Sequence, residues 1–161
     1  LRDIILVGTS SGGMVACATA ERARERIARV VLADALALFH GERISDFVSR
    51  PTAVSDELST GPTPEDARDR LFAGLDDSTR QWAVERCTMH PIAAMEAPVH
   101  LPQFWSLDWN ATVIWCRQSA NPPASHQRRA AEALNAEWRE LDTGHYPMLS
   151  EPTALADLIA Q

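Results

Sequence analysis

Apolar runs followed by helix-like stretches dominate the two ends of the chain. Short runs rich in β-branched residues predict buried strands, and alternation of apolar and charged residues predicts one half-exposed strand near the C-terminus. The predicted strands are residues 4–7, 28–33, 111–116 and 137–141, and the predicted helices are residues 14–24, 121–134 and 152–160. Because strands and helices alternate, we expect an α/β fold with a parallel sheet and right-handed crossovers.

The segment between the second and third predicted strands has a different character. Proline and glycine interrupt it repeatedly, and it contains no convincing run of β-branched residues. Helical spacing occurs only in short pieces, over residues 42–49, 64–72 and 76–87. We therefore expect a core made of residues 1–35 and 110–161, interrupted by a compact helical insertion at residues 36–109.

The first predicted strand runs into the pentapeptide Gly8-Thr9-Ser10-Ser11-Gly12, which fits the pattern G-x-S-x-G. A serine in this pattern sits on a strained strand-to-helix turn, and we expect Gly8 and Gly12 to remove collisions with the neighbouring backbone. Ser10 is the candidate nucleophile, and the N–H of Ser11, at a helix N-terminus, is the candidate donor to an oxyanion. The alternative is a glycine-rich turn without chemistry.

His145 is the candidate general base. It lies in a loop after the last predicted strand and follows Gly144, so it has room to move between a nucleophile and a leaving group at the same edge of the sheet. The second predicted strand ends at Asp34, at that edge. The remaining histidines lie in or beside the insertion or in a predicted helix, and they are His40, His90, His100 and His126.

Composition excludes several classes of function. The net charge is −7 and the 15 basic residues, all arginine, are scattered, so we expect no nucleic-acid partner. No apolar run is long enough for a membrane span and no signal peptide is present, which predicts a cytoplasmic protein. We expect Cys17, Cys87 and Cys116 to be buried free thiols. No spacing of cysteines or histidines suggests a metal site.

The order of these motifs resembles the C-terminal part of an α/β-hydrolase. The resemblance rests on Gly-x-Ser-x-Gly-Gly, the strand ending at Asp34, and the run Leu141-Asp142-Thr143-Gly144-His145-Tyr146-Pro147-Met148-Leu149 with Glu151-Pro152. Within that superfamily the chain is similar to the group of hydroxynitrile lyases and plant methyl esterases. The resemblance implies hydrolysis of a small-molecule ester without a cofactor, by attack of Ser10 and proton transfer through His145. Residues 36–109 would be the cap that shapes the pocket.

The acid that orients the histidine is the point at which the sequence departs from the commoner family pattern. The resemblance implies an acid after the strand at 111–116, but Gln118 stands at about that place and no carboxylate lies between Asp108 and Glu132. Asp34 ends the neighbouring strand, where some hydrolases carry their acid, so it is either the acid or a loop brace. Asp142, close to His145 in sequence, is expected to fix loop geometry.

The resemblance also implies strands before the elbow that the sequence does not contain. The expected fold is therefore a parallel-sheet α/β-hydrolase fold lacking its N-terminal strands, with the elbow strand at an exposed edge. Such a chain is expected to be a fragment that is unstable, inactive or dependent on a partner, and a homodimer would cover exposed surface.

Three functions follow from the sequence. The first is a serine esterase. The second is a hydroxynitrile lyase, against which the absence of lysine argues, since the plant lyases of this fold use a lysine in the cap. The third is a truncated or inactive hydrolase-fold module.

Overall fold

The computed structural model describes residues 1–48 and 54–161 of the chain. Within these residues the strands are β1 (Ile4–Ser10), β2 (Ile27–Ala35), β3 (Val54–Ser55), β4 (Ser59–Gly61), β5 (His90–Pro91), β6 (Ala111–Cys116) and β7 (Glu137–Leu141). The α-helices are α1 (Gly12–Arg22), α2 (Pro64–Asp66), α3 (Asp77–Val84), α4 (Ile92–Glu96), α5 (Ala124–Leu134), α6 (Pro147–Ser150) and α7 (Pro152–Ala160). None of the helices described here is long and apolar enough to cross a membrane.

The main sheet contains four parallel strands in the order β1-β2-β6-β7. Strand β2, one of the two central strands, is almost entirely buried, as expected for a parallel strand covered on both faces. Helices α1 and α5 pack into the apolar cluster on one face, and Leu155 of α7 packs against Val31, Ala33 and Ile114 on the other. The predicted α/β fold with a parallel sheet is confirmed.

Strand β1 lies at the edge of this sheet, as the sequence predicts. It pairs with β2 along its whole length, and the side chains of Ile5 and Val7 are 43% and 41% exposed. The edge therefore presents an apolar strand face to solvent. The structural reason is that no other described strand pairs with β1.

The segment at residues 36–109, expected to be a compact helical insertion, contains strands as well as helices. The segment carries a small antiparallel sheet in the order β3-β4-β5, in addition to α2, α3 and α4. Strands of two or three residues are too short to show a period of two in the sequence, which is why the pattern did not reveal them. The helix predicted over 42–49 is a single 3₁₀ turn at Ile44–Asp46, and residue 49 lies outside the described residues.

The same segment contacts the part of the chain that follows β7 through aromatic and apolar side chains. Phe72 and Tyr146 lie with their ring centroids 4.7 Å apart. Leu71, Val84 and Leu149 pack around the same cluster. The loop that contains His145 is thereby held between the sheet and the inserted segment.

Two of the three cysteines are buried, but the expectation for Cys87 is wrong. Cys17 and Cys116 lie in the interior of the main sheet and its helices, where burial raises the pKa of both thiols to about 12. Cys87 is exposed, because it follows the end of α3 in the inserted segment. An apolar sequence neighbourhood did not indicate burial there.

Candidate active site

Ser10 occupies a strained position at the end of β1. Its φ is +49°, in the left-handed region that a non-glycine residue rarely adopts, and Ser11 immediately begins the turn into α1. Helix α1 packs so closely behind this turn that a methyl group on Gly8 would lie 2.8 Å from Cβ of Ala16. The tight strand-to-helix turn projects the Ser10 side chain outward from the sheet edge.

The second glycine required by this packing is Gly13, and the expectation for Gly12 is wrong. A methyl group on Gly13 would lie 2.7 Å from both Cβ of Ala35 and the carbonyl oxygen of Leu36. A methyl group on Gly12 would meet no described atom within 4 Å outside its chain neighbours and the backbone of its own helix. Gly13 therefore sets the distance between the start of α1 and the end of β2.

We expect Gly13→Ala to lower the free energy of unfolding by about 2 to 3 kcal/mol, because the added methyl group meets backbone that cannot rotate away. Gly12→Ala is the matched control and should be neutral or stabilise by about 0.5 kcal/mol, since alanine favours a helix. Urea unfolding of both variants measures the difference. Equal effects of the two substitutions would contradict the assignment of the close approach to Gly13.

The structure brings Ser10, His145 and Asp34 together. Nε2 of His145 lies 2.9 Å from Oγ of Ser10, and Nδ1 lies 2.5 Å from Oδ2 of Asp34. Because a carboxylate only accepts, Nδ1–H donates to Asp34, and Nε2 is left to accept the Ser10 hydroxyl proton. The His145 side chain is 13% exposed and that of Asp34 is fully buried. The three side chains thus form one continuous line of hydrogen bonds.

Asp34 also braces the structure around it. Its φ is +47°, and its Oδ1 accepts from the backbone N–H of Cys116 at 3.4 Å. The two alternatives from the sequence, partner of the histidine and local brace, are therefore combined in one carboxylate. One oxygen contacts His145 and the other contacts β6.

Gln118 and Asp142 contact each other instead of His145. Nε2 of Gln118 donates to Oδ1 of Asp142 at 3.3 Å, and Arg117 forms an ion pair with the same carboxylate at 3.2 Å. Asp142 is thus engaged in local loop contacts, as expected from the sequence. The structure leaves Asp34 as the carboxylate that faces the imidazole.

The loop carrying His145 is held by Thr143, which the sequence did not single out. Thr143 is 4% exposed, its hydroxyl lies 2.5 Å from the Ser150 hydroxyl, and its carbonyl accepts from the Gln118 N–H at 3.0 Å. Helix α6, also not predicted, places Ser150 there. The sequence signal that could have indicated this role is a threonine directly before the Gly-His pair.

A cavity of about 330 Å³ opens above Ser10. Ser10, Ser11 and His145 are among the residues that line it. Apolar and polar side chains of the inserted segment form much of its wall, and the loop at residues 119–122 closes another side. Within the described residues, no group of three metal-binding side chains is found.

A profile of the alpha/beta hydrolase family matches residues 1–158 of the chain. The chain belongs to the alpha/beta hydrolase family. A curated relative, the carbendazim hydrolyzing esterase of Nocardioides sp. (strain SG-4G), is 31% identical over 117 residues, which cover 63% of this chain and 46% of that protein. The chain therefore spans less than half of the length of this relative.

Solved structures with the same fold include two that cover nearly the whole chain. An extracellular alpha/beta-hydrolase from a Paenibacillus species is 19% identical with a TM-score of 0.82, over 99% of this chain and 72% of that one. A methylesterase from Arabidopsis is 18% identical with a TM-score of 0.76, over 99% and 69% of the two chains. The resemblance to alpha/beta hydrolases is confirmed by the family match, and these structures share the fold of the chain.

This alpha/beta hydrolase buries two consecutive polar residues of α5. His126 is 3% exposed and Gln127 is 1% exposed. Nε2 of His126 accepts from the N–H of Ala37 at 3.0 Å, and Nε2 of Gln127 donates to the carbonyl of Ala35 at 3.3 Å. Neither role is visible in the sequence, because a polar pair on a helix does not reveal which backbone it contacts.

His126 is expected to make stability depend on pH. Burial lowers the pKa of His126 from 6.5 to about 4, and the nearby positive charge of Arg129 acts in the same direction, against the attraction of Glu42. Between these values the unfolded chain binds a proton that the folded protein does not. The free energy of unfolding should therefore decrease as the pH is lowered from about 6.5 to about 4, by up to about 3 kcal/mol from this residue.

Urea unfolding between about pH 7 and pH 4 measures this slope. The matched variant is His126→Gln, which keeps a hydrogen-bond acceptor but does not titrate. Its slope should be shallower than that of the unmodified chain. Identical slopes in the two proteins would contradict the assignment of the pH dependence to His126.

Proposed function

We propose that this chain carries the active site of a serine hydrolase that cleaves small carboxylic esters through an acyl-enzyme. The observation that carries the proposal is the line of hydrogen bonds from Ser10 through His145 to Asp34, at 2.9 and 2.5 Å, with Ser10 and His145 lining a cavity. A nucleophile, a base and a buried carboxylate in this order meet the geometric requirements of acyl transfer.

In the first half of the reaction, Oγ of Ser10 attacks the ester carbonyl while Nε2 of His145 takes the hydroxyl proton. Asp34 remains ionised and stabilises the imidazolium that forms. The Ser11 N–H, at the N-terminus of α1, donates to the oxyanion. When the tetrahedral intermediate collapses, the bond to the alcohol breaks and His145 gives its proton to the departing oxygen.

In the second half, water replaces the alcohol. His145 takes a proton from the water as it attacks the acyl carbonyl, and returns that proton to Oγ of Ser10 as the carboxylic acid leaves. The reaction consumes one ester and one water and forms one acid and one alcohol. It needs no redox partner, since no atom changes its oxidation state.

The size and walls of the cavity support a small ester as the substrate. A volume of about 330 Å³ is at the lower end of the range for small-molecule sites. Residues of the inserted segment line much of the cavity, which supports a role for residues 36–109 as the cap that selects the substrate. The similarity to an esterase at 31% identity supports the same class of bond.

The proposal is tested by treating the chain with a fluorophosphonate and measuring its intact mass. Oγ of Ser10 should displace fluoride and form one Ser–phosphorus bond, which gives a single adduct. Ser10→Ala should give none. Ser106→Ala is the matched control, since its hydroxyl contacts only the carbonyl of Gln103, and it should label as the unmodified chain does. Failure of the folded chain to label would refute an activated Ser10.

A further inference from the structure

The buried pair His126 and Gln127 contacts the backbone that immediately follows Asp34. Both residues lie on α5, on the side of the main sheet that faces α1. We propose that His126 and Gln127 are positioning residues, which hold the end of β2 so that Asp34 faces His145 and the backbone of Ser10 stays in register with it. This inference rests on the proposed function of Ser10, His145 and Asp34.

Three consecutive residues are fixed at this point. The carbonyl of Ala35 accepts from Gln127, and the N–H of Ala37 donates to His126. Between them, the N–H of Leu36 donates to the carbonyl of Ser10 at 2.8 Å. The α5 side chains therefore fix the neighbours of Leu36 on both sides, and Leu36 is the residue whose N–H donates to Ser10.

The backbone here needs external support. Asp34 has a φ of +47°, a left-handed conformation that is strained for a non-glycine residue and persists only where the surroundings impose it. The hydrogen bond from the N–H of Cys116 to Oδ1 of Asp34 also supports the carboxylate, but it is long, at 3.4 Å. The hydrogen bonds from α5 fix Ala35 and Ala37, the first and third residues after Asp34, and so limit the rotation that would relieve the strain.

The choice of residue types also supports positioning rather than packing alone. Elsewhere α5 buries apolar side chains against the sheet, namely Ala130, Ala131 and Leu134. Burying an amide or an imidazole costs free energy that one hydrogen bond only partly offsets. The Nδ1 of His126 is buried without a described hydrogen-bond partner, which adds to that cost. The hydrogen bond that this side chain forms is the one in which Nε2 accepts from the N–H of Ala37.

Two variants remove the hydrogen bonds but keep much of the shape. His126→Phe removes the acceptor, and Gln127→Met removes the donor while keeping an unbranched chain. Because a misplacement of about 1 Å can reduce a rate by about 10²-fold, we expect each variant to lower kcat by about 10- to 100-fold with KM unchanged. His126→Gln restores an acceptor near the position of Nε2 and should recover most of kcat.

The matched controls are His100→Phe and Gln118→Met. His100 is exposed, and the only hydrogen bond of the Gln118 side chain to another described residue is to Asp142, so these substitutions change the same residue types away from β2. Both should leave kcat unchanged. Equal losses in the controls and in the α5 variants, or a full kcat in both α5 variants, would overturn the proposal.

A second readout does not depend on catalysis. The proton between Nδ1 of His145 and Asp34 should give a downfield proton NMR signal, identified by its loss in His145→Gln. In His126→Phe and Gln127→Met we expect this signal to move upfield or broaden, while the folded dispersion of the spectrum is kept. An unchanged signal would refute positioning. If the unmodified chain shows the signal but hydrolyses no ester, the proposed function fails while the positioning of Asp34 is still measured.

Discussion

Ser10→Ala is expected to lower kcat for ester hydrolysis by about 10⁶-fold, because the variant has no nucleophile to form the acyl-enzyme. The residual rate should still exceed that in water, since the Ser11 N–H and the cavity remain. Steady-state hydrolysis of a chromogenic short-chain ester, followed from the first turnover, measures both kcat and the burst of released alcohol. The variant should show no burst.

The control for this loss is Ser106→Ala, which should retain kcat within about twofold because a surface hydroxyl contributes little. Thermal unfolding of both variants separates a chemical loss from a folding defect. A Ser10→Ala protein that is folded and retains a tenth or more of the original kcat would contradict nucleophilic catalysis by Ser10.

Asp34→Asn is expected to lower kcat by about 10⁴-fold with little change in KM. An asparagine cannot stabilise the imidazolium by charge, and its amide can turn an N–H toward Nδ1, which favours the wrong tautomer of His145. The measurement is the same ester assay, with fluorophosphonate labelling as a second readout. Labelling should be slowed in parallel with kcat.

Asp142→Asn is the matched control. Asp142 is a carboxylate close to His145 in sequence, but it contacts Arg117 and Gln118. It should retain kcat within about twofold. The opposite pattern, a large loss in Asp142→Asn and none in Asp34→Asn, would reverse the assignment of the carboxylate.

The sequence predicts the parallel sheet well because each of its strands carries a strong pattern. The strands at Ala111–Cys116 and Glu137–Leu141 and the helix at Pro152–Ala160 occur at the predicted residues. Ser10 and His145 were identified for a similar reason, since a serine between glycines and a Gly-His loop are short local signals. The distances between them depend only on both loops lying at one edge of the sheet.

Other features depend on contacts between distant segments, which local patterns do not encode. The sequence could not decide between Asp34 as acid and as brace, because the answer depends on where β6 and the His145 loop lie beside it. The close approach involves Gly13 and not Gly12 because Gly13 faces Ala35 and Leu36 at the end of β2, which a local pattern does not show. The small sheet β3-β4-β5 has too few residues per strand to produce a period.

The distances along the chain between the three site residues are very unequal. Ser10 and Asp34 end adjacent strands joined by one helix, whereas His145 is 135 residues from Ser10 and 111 residues from Asp34. Opening of the C-terminal part alone would withdraw the imidazole while β1, α1 and β2 remained folded. In a hydrogen-exchange experiment, the stability of the assembled site would therefore be that of the local unit containing β7 and α6, and not that of the whole fold.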